Sequence, residues 1–331
     1  MDVIESDSPF HAGERAAQAR AGVRERTERQ GRRMIRGFLT EQHRLFFAQL
    51  PFLLVGALDA EGQPWATLAS GRPGFLSSPD PQRLVVEARP LGEAALGLAL
   101  APGAPLGLLG IELATRRRNR ANGRVLASEP AGFALAVEQA FGNCPQYIQV
   151  REPLAAPAAM PRDGGREGAS LSVAARAALA AADTLFLATA SAAPRAGVGD
   201  PREGLDVSHR GGRPGFLRVT DAADGGSLVT LPDFRGNFAF NTLGNLAVEP
   251  RAGLLVPVFA SGDLLLLAGT AEVLWDEPEI ARFAGAERLL RFRVGQGLWI
   301  GQGLPARWTP AVEAPQLAAT GAWDEGYSSR S

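Results

Sequence analysis

The chain has 331 residues, enough for two ordinary domains, with 46% apolar residues, 21% charged residues and a net charge of −1. That balance marks a folded globular protein rather than a disordered one, and it offers no bulk attraction for nucleic acid. All 34 basic residues are arginine, which excludes a Walker A loop and a pyridoxal phosphate Schiff base, since both need lysine. Cys144 is the one cysteine, and the histidines are His11, His43 and His209. No intrachain disulfide or thiolate metal cluster is expected, and a zinc or haem-iron site would lack ligands unless carboxylates joined in. The N-terminus lacks a signal-like apolar region and no segment approaches the length of a membrane span. The expectation is a cytoplasmic protein with neither a membrane nor a nucleic acid as partner.

In chain order, residues 11–36 carry eight arginines with Glu14, Glu25 and Glu28, and read as an exposed, solvated helix. "TEQHRLFFAQL" (40–50) predicts a short helix behind a Thr N-cap. "FLLVGALDAEGQPWATLASGRPGFL" (52–76) reads as strand, turn, strand and a Gly/Pro break before more strand. Strands follow at 82–88 and over 105–127, and "SEPAGFALAVEQAFG" (128–142) predicts a helix from its Ser N-cap signal. A Pro/Ala/Gly-rich linker spans 153–170.

The second half repeats this grammar. A helix at 171–183 precedes the strand "TLFLATASAA", and "GGRPGFL" (211–217) echoes "SGRPGFL" (70–76). Later strands answer their first-half counterparts in the same register, and "DEPEIARFAGAERLL" (276–290) predicts a closing helix. Several elements in order are more than a chance echo and indicate a tandem duplication. Short strands, hairpin turns and one helix per copy point to small antiparallel barrels. Two glycine patterns, 197–204 and 295–303, lack the strand-to-helix context of a dinucleotide fingerprint.

"DTLFLATASAA…GLDVSHRGGRPGFLRV…GSLVTLPDFRGNFAFNTLGNLAVEPRAGLLV" resembles the pyridoxamine 5′-phosphate oxidase-like, FMN-binding split β-barrel family. "LLVGALDAEGQPWATLASGRPGFL" and "IELATRRRNRANGRV" resemble a more divergent copy. The resemblance implies a mainly β protein with flanking helices: two tandem antiparallel split β-barrels forming an intrachain pseudo-dimer, with FMN at their interface. Its expected divisions are a helical leader (1–50), an N-terminal split barrel with a degenerate site (51–152), the linker (153–170), a C-terminal split barrel carrying the FMN site (171–313) and a flexible tail (314–331). Association into a homodimer stays open.

FMN needs phosphate ligands, donors along its ring edge and apolar cover. Ser208, His209, Arg210 and Arg213 supply a hydroxyl, an imidazole and two guanidiniums beside glycines. On a strand, Ser208 and Arg210 share one face and His209 takes the other. The resemblance places Arg218 near a phosphate-binding arginine of the oxidases, and Asn237, Asn241, Thr242 and Asn245 where those enzymes carry Ser, Arg and Lys. His209 is the candidate proton donor. Opposite "DVSHRGG" the first copy has "WATLASG", so it lacks these groups. Arg116, Arg118 and Arg120 on a hairpin edge are its exception, positioned to reach across to the phosphate. One FMN per chain is therefore expected. The leading function is a flavoprotein oxidoreductase acting between FMN and a small-molecule substrate, with NAD(P)H as a candidate donor. The alternative is a non-catalytic sensor, store or stress protein that binds flavin or haem, or takes no cofactor.

Overall fold

In the computed structural model, residues 8–154, 160–191 and 200–323 are described. Parts of the expected leader (1–7), linker (155–159), glycine pattern (197–199) and tail (324–331) lie outside them. Three helices lead the chain: α1 (Ala12–Arg20), α2 (Arg24–Met34) and α3 (Glu41–Ala48). α1 opens in a capping box, with the Gly13 N–H donating to His11 Nδ1 at 3.1 Å and the His11 N–H donating to Glu14 at 2.9 Å. Thr40 caps α3 through the His43 N–H.

The first sheet holds β1 (Phe52–Leu58), β2 (Pro64–Ser70), β3 (Leu76–Ser77), β4 (Arg83–Val86), β5 (Pro105–Glu112), β6 (Arg117–Glu129) and β7 (Gly132–Gly142), with a one-turn α4 (Glu93–Leu96) before β5. Then come β8 (Pro153–Leu154), β9 (Arg162–Glu167), α5 (Val173–Ala181), β10 (Thr184–Ala190), β11 (Leu205–Gly211), β12 (Arg218–Asp221) and β13 (Ser227–Phe234). α6 (Asn241–Val248), β14 (Arg251–Val258), β15 (Asp263–Leu274), β16 (Ala286–Gly301) and β17 (Arg307–Trp308) complete the described elements. The fold is mainly antiparallel β. The first sheet runs β2-β1-β5-β6-β7-β4-β3 and the second runs β11-β10-β14-β15-β16-β13-β12, so the same pairing order occurs twice.

The halves pack through their first strands. A Cβ on Gly107 of β5 would lie 2.6 Å from the Asp206 Cα of β11, and one on Gly253 of β14 would lie 2.5 Å from the Pro64 carbonyl oxygen of β2. Each sheet therefore uses a glycine to admit the other's edge strand. The larger apolar core crosses this boundary, joining Leu54, Leu68 and Leu106 to Phe186, Val207, Leu264 and Leu298.

Five sequence expectations are corrected. The helix expected over 128–142 is the β6–β7 hairpin and strand: β7 pairs with β6 on one side and β4 on the other, and this pairing overrides the helical leaning of Ala, Leu, Glu and Gln. Residues 276–290 make one 3₁₀ turn, Pro278–Arg282, and then enter β16, which is held between β13 and β15. The arginine-rich 11–36 stretch is two helices rather than one, and His11, Glu14, Ala17 and Gln18 are buried. Within the expected linker, Arg162–Glu167 pairs with β16. Within the expected tail, Leu317 is buried and the Trp323 indole donates to the Phe216 carbonyl.

α1 lies directly on α6. A Cβ on Gly244 would fall 2.4 Å from the Glu14 backbone nitrogen and 2.5 Å from its Cα. Gly244→Ala should therefore destabilise the fold by roughly 1–3 kcal/mol, outweighing the roughly 1 kcal/mol gained in helix propensity. Urea unfolding of the variant and the parent measures this directly.

Candidate functional site

The free edge of β11 faces the hairpin end of β6, so the two halves meet side chain to backbone. Arg120 of β6 donates through Nη2 to the Val207 carbonyl at 3.0 Å and to Ser208 Oγ at 2.7 Å, and through Nη1 to Asn241 Oδ1 at 2.6 Å. Arg118, two residues earlier and on the same face, donates to the Cys144 carbonyl at 2.7 Å and the His209 carbonyl at 3.5 Å. The carbonyls of an unpaired edge are thus taken up by cations rather than by another strand.

Around these contacts lies a cavity of about 90 Å³ whose walls include Arg118, Arg120, Ser208, His209, Arg210 and Arg288. Asn237, Asn241 and Thr242 line it from the segment leading into α6, with Tyr147, Phe234 and Phe238 as apolar cover. Asp233 accepts from Arg210 at 3.0 Å and from Arg288 at 2.9 Å. Asp206 lies 3.7 Å from Arg120. Cations outnumber carboxylates here.

Several buried polar atoms at the cavity have no protein partner: Nε of Arg120, Nε of Arg210, both ring nitrogens of His209 and Oγ1 of Thr242. Thr242 and His209 are buried, and leaving such groups unpaired is costly. α6 begins at this wall. Its N-cap, Phe240, has no side-chain cap, so the first backbone N–H groups of α6 lack intrahelical acceptors. Phe238 and Phe240 both hold φ of 61°, a left-handed conformation that costs non-glycine residues on the order of 1 kcal/mol or more and clusters at functional segments.

Burial, reinforced by Arg118 and Arg210, holds His209 well below its ordinary pKa, so it is neutral at pH 7. A neutral imidazole there leaves one ring nitrogen as donor and one as acceptor, and neither has a protein partner. Burial also lowers Arg118, with Arg120 and Arg210 adding to the shift, and an anion in the cavity would relieve this crowding of cations.

Ser208, His209, Arg210, Asn237, Asn241, Thr242 and Arg118 all line the cavity, His209 included although alternation on a strand set it on the other face. Four expected members do not. Arg213 pairs with Glu313 and the Thr320 carbonyl. Arg218 pairs with Glu279 and stacks 4.1 Å over Trp323. Arg116, at φ 55° in the hairpin turn, donates to the Ile148 and Glu313 carbonyls. Asn245 sits behind the wall, bonded to His11 Nε2 at 2.9 Å and to Thr189 Oγ1 at 3.0 Å. Arg288, Asp233 and Tyr147 went unnoticed in sequence because β16, β13 and the 143–148 turn meet only in the fold. Glu14 was hidden in an arginine-rich helix, although its three-residue spacing from His11 is the capping-box signal.

The equivalent place in the first half is closed. Leu54, Leu109 and Arg120 lie opposite one another across β1, β5 and β6, as Phe186, Leu255 and Leu266 do across β10, β14 and β15. By that register Leu266 and Leu264 stand where Arg120 and Arg118 stand, and Leu68 and Ala69 stand where His209 and Arg210 stand. Leu264, Leu266 and Leu68 are buried together in the larger core. Apolar side chains fill that space.

No protein-family model matches the chain, and no curated protein matches it in sequence. Among solved structures it is similar to HupZ of Group A Streptococcus at 10% identity, over 38% of this chain and 89% of HupZ, with a TM-score of 0.28. A candidate pyridoxamine 5′-phosphate oxidase from Lactobacillus delbrueckii matches at 15% identity over 39% of this chain and 93% of its own, with a TM-score of 0.29. MrkH of K. pneumonia, solved with c-di-GMP, matches at 9% identity over 75% of this chain and 78% of its own, with a TM-score of 0.21. Among the described residues no helix is long and apolar enough to cross a membrane.

Burial raises the Glu14 carboxyl to about 8 and shifts Asp206 upward as well. A raised carboxyl favours the folded state when protonated, so its contribution is full below the unfolded value of about 4 and is lost as pH rises through the folded value. Buried His11 and His209 are lowered and weaken the fold only below about pH 6.5. Between pH 6.5 and 8 the unfolding free energy should therefore fall by about 1 kcal/mol per pH unit. Urea midpoints across that range measure the slope, which Glu14→Gln should flatten.

Proposed function

We propose that the chain is an FMN-binding protein of the split-barrel type, built from two tandem copies of one barrel paired within the chain. Its one site lies where the second copy's edge strand meets the first copy's β6. The carrying observation is the convergence of Arg118, Arg120, Arg210 and Arg288, with partnerless buried donors, on a cavity at the start of α6.

The donor set fits a phosphate. Guanidinium forks, a threonine hydroxyl and uncapped helix N–H groups are the partners a near-dianionic phosphate requires. At about 90 Å³ the cavity is smaller than the roughly 150 Å³ that admits a benzene ring. It encloses a phosphate-sized group and does not enclose a tricyclic ring system. Arg120, Arg210 and Thr242 would hold the phosphate, while Asn237, neutral His209 and Tyr147 face the rest of the ligand. When bound, FMN supplies hydride and single-electron transfer chemistry. Within this reading the chain is an oxidoreductase towards a small molecule, located in the cytoplasm, with a reduced nicotinamide nucleotide as its candidate donor.

Titrating the full chain with FMN, followed by flavin fluorescence and calorimetry, tests the reading. One FMN per chain is expected, because Leu264 and Leu266 occupy the second place. Arg210→Met should weaken binding at least about tenfold, the loss of a charge-assisted contact worth roughly 1.5–3 kcal/mol. A stoichiometry near two, or a Soret band in place of flavin absorption, would overturn it.

A further inference from the structure

Behind the wall formed by Asn241 lies a second, smaller cavity roofed by α1, with His11, Glu14, Asp206 and Asn245 among its lining. Glu14 is 4% exposed. Asn241 joins the two cavities: its Nδ2 donates to Glu14 Oε1 while its Oδ1 accepts from Arg120 Nη1. Asp206 stands 3.7 Å from Arg120 and 3.3 Å from Ser208 Oγ. A buried carboxyl on the leading helix is thus one side chain away from a cation that lines the main cavity.

We propose that Glu14 is a proton-linked positioning residue of the phosphate site: neutral, it leaves the charge of Arg120 to an anionic ligand, and ionised, it competes for that charge. This rests on reading the main cavity as an anion site. A buried carboxylate linked through Asn241 to Arg120 and a phosphate bound to that guanidinium repel each other where water does not screen them, so binding of the ligand takes up a proton. The groups that face Glu14 are His11 on its own helix, Asp206 on β11, Arg120 on β6, Glu138 on β7, and Arg202 and Glu203 in the segment before β11.

The relevant window is pH 7 to 8.5. Burial, with Asp206 adding to it against the His11 N–H, Asn241 and Arg120, lifts Glu14 to about 8. His11 is held below its ordinary value by burial and stays neutral there. A phosphate monoester has its second ionisation midpoint near pH 6; Arg118, lowered by burial to about 9, stays mostly charged up to pH 8.5, and an arginine side chain otherwise keeps its charge there.

Calorimetric titration of the full chain with FMN, and separately with phenyl phosphate as a simple phosphate monoester whose own ionisation lies below the window, tests the switch across this window in buffers of differing ionisation enthalpy. For the parent, proton uptake should rise from near zero at pH 7 to more than half a proton per ligand at pH 8.5, with affinity falling towards tenfold per pH unit. Glu14→Gln, which mimics the neutral carboxyl, should bind with a much flatter pH profile and take up far less than half a proton at pH 8.5. Absence of uptake by the parent at pH 8.5 overturns the proposal without any variant, and so does an identical slope in Glu14→Gln. FMN binding with a slope that Glu14→Gln leaves unchanged removes the switch and keeps the flavin reading. A pH-linked phenyl phosphate response without FMN binding removes the flavin reading and keeps the switch. Binding of neither overturns both.

Discussion

Arg120 leaves β6 in one half of the chain and ends inside the other, where Val207, Ser208 and Asn241 take up three of its hydrogen bonds. Its guanidinium is buried, lies 5.2 Å over the Phe141 ring and keeps a partnerless Nε. A buried cation is tolerated only where its hydrogen bonds and counter-charges are in place. The geometry of β11, the orientation of Asn241 and the placement of Asp206 all answer to that requirement. Through Asn241 the same constraint reaches Glu14, which ties the leading helix to the site.

Two halves with one pairing order need not have equivalent interiors. Where Arg118 and Arg120 enter one side of the interface, Leu264 and Leu266 enter the other, and the space around them closes into core. Burying leucine there needs no polar partner, whereas burying arginine demands one. One end of the interface thereby contributes packing and the other keeps a polar cavity. The glycines that admit the edge strands, Gly107 and Gly253, occur at both ends, so the framework is symmetric even though the chemistry is not.

Much of this was legible along the chain. Alternating apolar strands and Gly/Pro turns are local signals, and the repeated order of strands followed from them. Ser208 and Arg210 stood out as polar side chains beside glycines on a short element, whereas Asn241 and Thr242 were picked out by the family resemblance. The segment at 128–142 misled for a physical reason: Ala, Leu, Glu and Gln favour helix in isolation, while β4 and β6 offer it a ladder on both edges. Arg213 and Arg218 carry the same charge as Arg210, yet Glu313 and Glu279, distant in sequence, claim them.

By itself, the order of residues determined the element types over most strands, the doubling of their order and the chemistry that lysine, cysteine and histidine content rules out, because each depends on composition or short-range spacing. Only the tertiary structure decided which arginines face the cavity, that His209 is buried among cations, that one end of the interface is filled, and that Glu14 reaches Asn241. Those outcomes depend on burial and on partners distant in sequence, and no local pattern in a chain records the dielectric or the counter-charge its side chains will meet.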